Sequence, residues 1–336
     1  MNNGFGFPYH GSKNLIATAL LSHIPSSDTF VDLFCGGGAM THAALKSGRY
    51  KHFIMNDISG YVYKLYSSVA NTARPRYFVT KEEFRNECKT DPFVGINFSY
   101  ANKCDTYIYS DRMSLYEQAY TYAITDDDWH MVDSLCPEVS GQLKNSVSGV
   151  TDITERKCKI QRTIFYYVKD NVSSGQFDFL DNPIYAQCYV SHDTKFRKKG
   201  SVRDLRLVPH LASVMRSVSF TEDLLANKGR IRVFHRDYQD VHIPSHSVVY
   251  CDIPYRDTLP YHSEAFDYDR FYSWALSRDF PVFISEYEMP ADFVPIFSTK
   301  KVNSISRQTH FSTTEKLFVQ KKYYDSINNN INDSLS

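Results

Sequence analysis

The chain has 336 residues, and at roughly 150 residues per domain that length predicts about two domains. Hydrophobic residues make up 42% and charged residues 23%, which excludes a disordered, collagen-like or disulfide-stapled chain. Lysine plus arginine and aspartate plus glutamate each number 38, so a uniformly basic nucleic-acid coat is excluded, while a local basic patch is not. The seven cysteines (35, 88, 104, 136, 158, 188 and 251) are scattered without a CxxC pair, a pattern of reduced thiols rather than disulfides or a zinc site. MNNGFGFPYHGSK has no apolar core of a secretory signal, and no run approaches the roughly 18 apolar residues of a membrane span. A soluble cytoplasmic protein with no metal site is therefore expected.

Leu15, Ile16, Ala19, Leu20 and Ile24 recur at helical spacing, with Ser12 as the expected cap and Pro25 as the stop. A short apolar strand over 30–34 follows and breaks into Gly36, Gly37 and Gly38. The pattern then predicts a helix over 39–46 closed by Gly48, and a second strand over 52–56 ending at Asp57. Strand, glycine turn, helix and a strand ending in an acid make half of a nucleotide-binding sheet. The middle, 76–228, is less regular, with an acidic stretch (Asp126, Asp127, Asp128, Asp133, Glu138) followed by a basic one. Six basic residues crowd into 195–206 (Lys195, Arg197, Lys198, Lys199, Arg203, Arg206) against Asp204. Leu205, Val208, Ala212 and Met215 keep a helical rhythm that Pro209 interrupts. Short strands are predicted over 231–235, 247–252, 281–285 and 315–321, with a helix over 268–276 capped by Asp267. The polar end, SINNNINDSLS, predicts a frayed tail.

Two motifs carry chemistry. A glycine turn after a strand lets backbone approach a ligand and aims helix N-terminal amides at it. The dinucleotide fingerprint GxGxxG fails here, because Thr41 stands where its third glycine belongs, yet Asp57 lies at the right distance to grip two ribose hydroxyls. The second motif is Asp252-Ile253-Pro254-Tyr255, delivered at the C-terminal end of the strand over 247–252. An acid, a rigid turn and an aromatic in four residues suit a planar amine. The carboxylate and a backbone carbonyl accept its hydrogens while the ring stacks on its face.

The combination resembles the Dam-type DNA adenine N6-methyltransferases of bacteria and bacteriophages. The matching pieces are Tyr9-His10-Gly11-Ser12-Lys13, FVDLFCGGGAM (30–40), MNDI (55–58) and VVYCDIPY (248–255), with PVFIS (281–285) and EKLFV (315–319) resembling later family strands. The resemblance covers about residues 5–75 and 228–322; Ile253 departs from it, replacing the first proline of D-P-P-Y. It implies an α/β fold: a Rossmann-like, S-adenosylmethionine-dependent methyltransferase sheet split by a largely helical target-recognition insertion over 76–227, with a flexible tail over 323–336.

The resemblance also implies roles. Tyr9 would contact S-adenosylmethionine by packing and Lys13 by polar contact. Asp32 with Gly36, Gly37 and Gly38 would cradle its methionine end, Asp57 its ribose, and Asp237 with Tyr238 its adenine. Asp252 would also border the cofactor, and with Ile253, Pro254 and Tyr255 would hold the target base. The basic run 195–206 would contact phosphates of double-stranded DNA. A cognate restriction endonuclease is a further implied partner, and the oligomeric state stays open. Rival readings are a methyltransferase acting on RNA or a protein amide, an NAD-dependent oxidoreductase, and an inactive DNA-binding relative; the missing third glycine and the DIPY strand argue against the oxidoreductase.

Overall fold

The computed structural model describes residues 4–69, 76–100, 104–173, 210–256, 266–302 and 312–327. The chain divides into two compact units, Met1–Ala73 with Ser219–Ser336, and Arg74–Val218.

The first unit is built on a sheet of seven strands: β1 Thr29–Asp32, β2 His52–Asn56, β3 Ile231–Phe234, β4 Ser247–Cys251, β5 Val282–Glu286, β6 Phe293–Val302 and β7 Ser312–Gln320. Their order across the sheet is β3-β2-β1-β4-β5-β7-β6. The first five run parallel, β7 is antiparallel to β5, and β6 is antiparallel to β7. Parallel strands covered on both faces read as continuous apolar runs rather than alternating ones. All four residues of β1 and all five of β5 are buried accordingly. Successive side chains serve opposite faces. Phe30, Phe53, Tyr250, Phe283, Leu317 and Val319 join one apolar cluster, while Val31, Ile54, Val249, Cys251, Ile284 and Phe318 join the other. This is the expected Rossmann-like α/β sheet.

The helix Ala39–Ser47 starts from Gly38 at φ 70° and stops at Gly48 at φ 67°, the left-handed conformation that favours glycine at a helix end. The helix Tyr268–Leu276 is capped by Asp267, whose side chain accepts from the Arg270 amide at 2.9 Å. The helix expected from Ser12 onward is shorter, covering Ala17–Leu21 with Ile16 at the N-cap position. Ser12 is no cap: its amide bonds back to the Tyr9 carbonyl at 3.1 Å, and this turn carries Lys13 into the interior. A helix over Gly60–Val69 and the strand β6 were not anticipated. β6 is an edge strand with a register irregularity between Pro295 and Phe297, where the missing N–H of a proline is tolerated. The expected flexible tail over 323–336 is packed at its start, since Tyr323 and the buried Ile327 join the first apolar cluster.

The second unit is helical over its described residues: Lys81–Glu87, Pro92–Phe98, Asp111–Thr125, His130–Leu135, Pro137–Ser146, Ile153–Ser173 and the start of Leu211–Ala226. Side chains cap several of these helices: Thr80 in a capping box with Glu83, Asp91, Ser110, and Asp152, which accepts from the Glu155 amide at 2.7 Å. Its core gathers Tyr120, Ile124, Val132, Val139, Leu143, Ile160 and Ile164. Part of the acidic stretch is structural. Arg156 is nearly buried, donates to the carbonyls of Ala123 (2.7 Å), Ile124 (2.9 Å) and Val150 (3.1 Å), and pairs with Asp127. The basic run Lys195, Arg197, Lys198, Lys199, Arg203 and Arg206 lies outside the described residues. Among those described, the cysteines are unbridged, and no helix is long and apolar enough to cross a membrane.

Candidate active site

In an open parallel sheet the crevice for ligands lies outside the carboxyl ends of the strands, where the strand order reverses. Here that point lies between β1 and β4. Asp32 ends β1, Asp57 follows β2, Asp252 follows β4, and Asp237 comes just after β3. Four acids distant in sequence thus stand along one edge, in the order Asp237, Asp57, Asp32, Asp252.

Backbone contacts shape the glycine turn. The Gly38 amide bonds the Cys35 carbonyl at 2.6 Å, the Tyr66 hydroxyl donates to the Gly36 carbonyl at 2.8 Å, and the Phe7 amide donates to the Gly37 carbonyl at 2.7 Å. Asp57 binds the turn to β2, accepting from the Gly36 amide at 2.9 Å and the Ser59 amide at 2.8 Å. Close approach explains the glycines. A Cβ on Gly37 would lie 2.7 Å from the Phe7 carbonyl oxygen and from Tyr9 Cβ, and one on Gly36 would lie 3.0 Å from the Tyr9 ring. Tyr9 therefore packs directly on the turn.

Asp32 is buried behind it. One oxygen accepts from the Thr41 hydroxyl at 2.8 Å; the other, Oδ1, is buried with no hydrogen-bond partner. Burial, with the charges of Asp252 and Asp57 adding and Thr41 opposing, pushes its pKa up to about 7. Thr41 earns its place here, as a donor to this acid rather than as a failed glycine. An unsatisfied buried carboxylate oxygen beside a glycine cradle fits a ligand carrying a cationic amine, as the methionine end of S-adenosylmethionine does.

The DIPY motif is organised around Lys13. Its ammonium, almost fully buried, reaches both oxygens of Asp252 (2.6 and 2.7 Å), the Gly11 carbonyl (3.1 Å) and Glu315 (3.5 Å). It also lies 4.8 Å from the centre of the Tyr255 ring. The Tyr255 hydroxyl donates to Glu315, and Tyr287 meets the ring edge-on with centroids 4.6 Å apart. Burial foremost, then the carboxylates of Asp252 and Glu315, hold the Tyr255 phenol well above its usual pKa, so it stays a neutral donor. After the motif, the Arg256 amide donates to Glu286 at 2.9 Å.

Ile253 is 2% exposed and packs in the apolar cluster with Val249, Cys251 and Phe271. Preceding Pro254, it is steered toward an extended conformation that β-branching also favours. Ile253→Pro should lose roughly 1–2 kcal/mol of stability from the vacated volume. The activity of the site should stay within about tenfold of wild type, because proline keeps the same backbone carbonyl. Pro254→Ala should cost more activity, since it frees its own φ and relaxes Ile253. Initial rates of the two folded variants decide this; the reverse order of damage would refute it.

Asp237 caps the turn Tyr238–Asp240, accepting from the Gln239 amide at 3.0 Å, and pairs with Arg270 at 3.1 Å. Tyr238 is buried against Phe271 and Trp274. The structure thus places Tyr9, Asp32, Gly36, Gly37, Gly38 and Asp57 around one turn, and gathers Lys13, Asp252 and Tyr255 in one cluster. Sequence reasoning missed Glu315, Tyr66, Tyr287 and Glu286. Glu315 had one signal, an acid opening the apolar run EKLFV.

No curated protein sequence matches the chain. The family model for the D12 class N6 adenine-specific DNA methyltransferases matches residues 9–273, a span from Tyr9 through the whole DIPY motif. With the methyltransferase sheet and this site at its switch point, the chain belongs to the D12 class N6 adenine-specific DNA methyltransferase family.

Proposed function

We propose that the residues gathered at the ends of β1, β2 and β4 carry out the family's reaction, methylation of the N6 amino group of an adenine in double-stranded DNA. What supports this most directly is the position of Asp252 and Tyr255 just after β4, next to the glycine turn of β1. S-adenosylmethionine, the family's methyl donor, supplies a methyl group made electrophilic by its sulfonium. The chain's own residues bind, orient and hold.

Asp57, fixed by two amides, takes the ribose. Asp32 and Gly36, Gly37 and Gly38 take the methionine end, with Tyr9 keeping the turn in shape. Asp237 borders the adenine end. Lys13 holds Asp252 beside the cofactor it would contact, since both carboxylate oxygens lie within 2.7 Å of its ammonium. The target adenine must leave the base stack, at a cost of a few kcal/mol. Tyr255 offsets this by stacking, while Asp252 and the Ile253 carbonyl accept the two amino hydrogens. Accepting both favours a more pyramidal nitrogen whose lone pair is released from the ring. Much of the rate comes from this alignment.

The unit Arg74–Val218, whose sequence includes the basic run over 195–206, is the DNA-recognition part of this reading. Neutralising Lys198, Lys199 and Arg203 together should weaken DNA binding and flatten its salt dependence by roughly one unit of slope per lost phosphate contact. Cofactor binding should hardly change. An unaltered salt slope returns the run to an ordinary solvated face. The protein works in the cytoplasm in this reading, and a cognate restriction endonuclease is the partner that would make methylation protective. Modification-sensitive sequencing of DNA from cells expressing wild type or Asp252→Ala tests the whole: N6-methyladenine at a recurring site with wild type alone is expected, and its absence with wild type overturns it.

A further inference from the structure

Glu315 is fully buried on β7, a strand that reaches β4 only through β5. A buried carboxylate is costly unless paired. This one accepts from the Tyr255 hydroxyl and lies 3.5 Å from Lys13, both through Oε1, while Oε2 is buried without a hydrogen-bond partner. It touches both groups that frame Asp252. Tyr255 turns about two side-chain torsions, and its hydroxyl oxygen lies on the axis of the second, so anchoring that hydroxyl fixes the first torsion and with it where the ring stands. Lys13, the cation over that ring, is shared between Asp252 and Glu315, so its charge is not spent on Asp252 alone.

We propose that Glu315 is a positioning residue of the methyl-transfer site: it holds the ring of Tyr255 in place through the hydroxyl and draws on the charge of Lys13, leaving Asp252 able to accept the target amine. This rests on the reading of Asp252 and Tyr255 as the base-holding pair. Glu315 itself acts through Tyr255 and Lys13.

The test is a double-mutant cycle on the full chain, with tritiated methyl transfer to unmethylated DNA, calorimetric binding of S-adenosylmethionine, and thermal melting. Glu315→Gln keeps an oxygen for the phenol but removes the charge, and Tyr255→Phe removes the hydroxyl from the other side. Each single variant should lower kcat about tenfold, the scale of one lost interaction with a charged group, with cofactor affinity within about twofold of wild type. The double variant should fall by less than the product of the two single losses, because both single variants weaken the same phenol–carboxylate contact. A wild-type kcat in Glu315→Gln, or losses that multiply in the double variant, overturns the proposal. So does a fall in kcat that only tracks the fraction unfolded. If Glu315→Gln does not fold, Tyr255→Phe decides alone: a tenfold loss supports the proposal and an unchanged kcat refutes it. Asp252→Ala in the same assay separates the two levels. If it is active, the base-holding reading fails; if it is dead while Glu315→Gln turns over normally, only the role of Glu315 fails.

Discussion

Asp252→Ala should lower methyl transfer by on the order of 10³-fold or more, the range reached when a preorganised polar group aimed at the reacting atoms is removed. The expectation follows from where the carboxylate sits: just past β4, at the switch point, with Lys13 held against both of its oxygens. Alanine removes the proposed acceptor for the amine and leaves Lys13 buried with Glu315 at 3.5 Å as its remaining carboxylate in this cluster. Asp252 is partly exposed, so a modest loss of stability, about 1–3 kcal/mol, accompanies the loss of turnover. Asp252→Asn keeps an acceptor oxygen and should retain more activity than alanine. Cofactor binding by calorimetry should survive in both. Near-normal turnover in a folded Asp252→Ala protein would remove this residue from the chemistry.

The second large effect concerns pH and Asp32. With its pKa raised from 3.8 to about 7 by burial, Asp32 keeps its proton in the folded protein across a window where the unfolded chain has lost it. The folded state binds more protons between pH 4 and 7, so stability falls as pH rises through that window. The full loss, on the order of 4 kcal/mol, is reached above pH 7. Asp32→Asn should therefore flatten the fall in melting temperature over this range. A ligand amine beside Oδ1 favours the ionised acid, so binding S-adenosylmethionine should expel a proton, and apparent affinity should climb toward pH 7 and then level off. Calorimetry at pH 6 in buffers of different ionisation enthalpy reads the proton directly. Buffer-independent heats, or the same proton release from Asp32→Asn, would refute the linkage.

The two effects separate experimentally because they fall on different ligands. In the proposed reading Asp252 acts on the target base and Asp32 on the cofactor, although the charge of Asp252 contributes to the raised pKa of Asp32. Removing Asp252 should consequently ease the ionisation of Asp32 slightly, moving the onset of proton release to lower pH.

Much of the sheet was readable residue by residue, because local chemistry decides it. Apolar runs of four or five residues marked β1, β2 and β4, the first breaking into glycines and the other two leading into Asp57 and Asp252, glycines in the left-handed conformation bounded the helix Ala39–Ser47, and Asp267 capped the helix Tyr268–Leu276 as its side chain predicts. The motifs DLFCGGG and DIPY, with their order along the chain, were enough to indicate the family, since each needs only a few neighbouring residues to state its chemistry. What stayed hidden depended on partners far away in sequence. Lys13 reads as a helix-start lysine until the fold carries it to Asp252, 239 residues on. Thr41 reads as a missing glycine until Asp32 is seen to need a donor, and Glu315 as a strand acid until Tyr255 and Lys13 converge on it. Periodicity and motif spacing report on turns, caps and buried faces, which are short-range properties. The pairing of buried charges is a long-range one, decided only when the strands are ordered and water is excluded, because only then does an unpaired charge become too costly to keep.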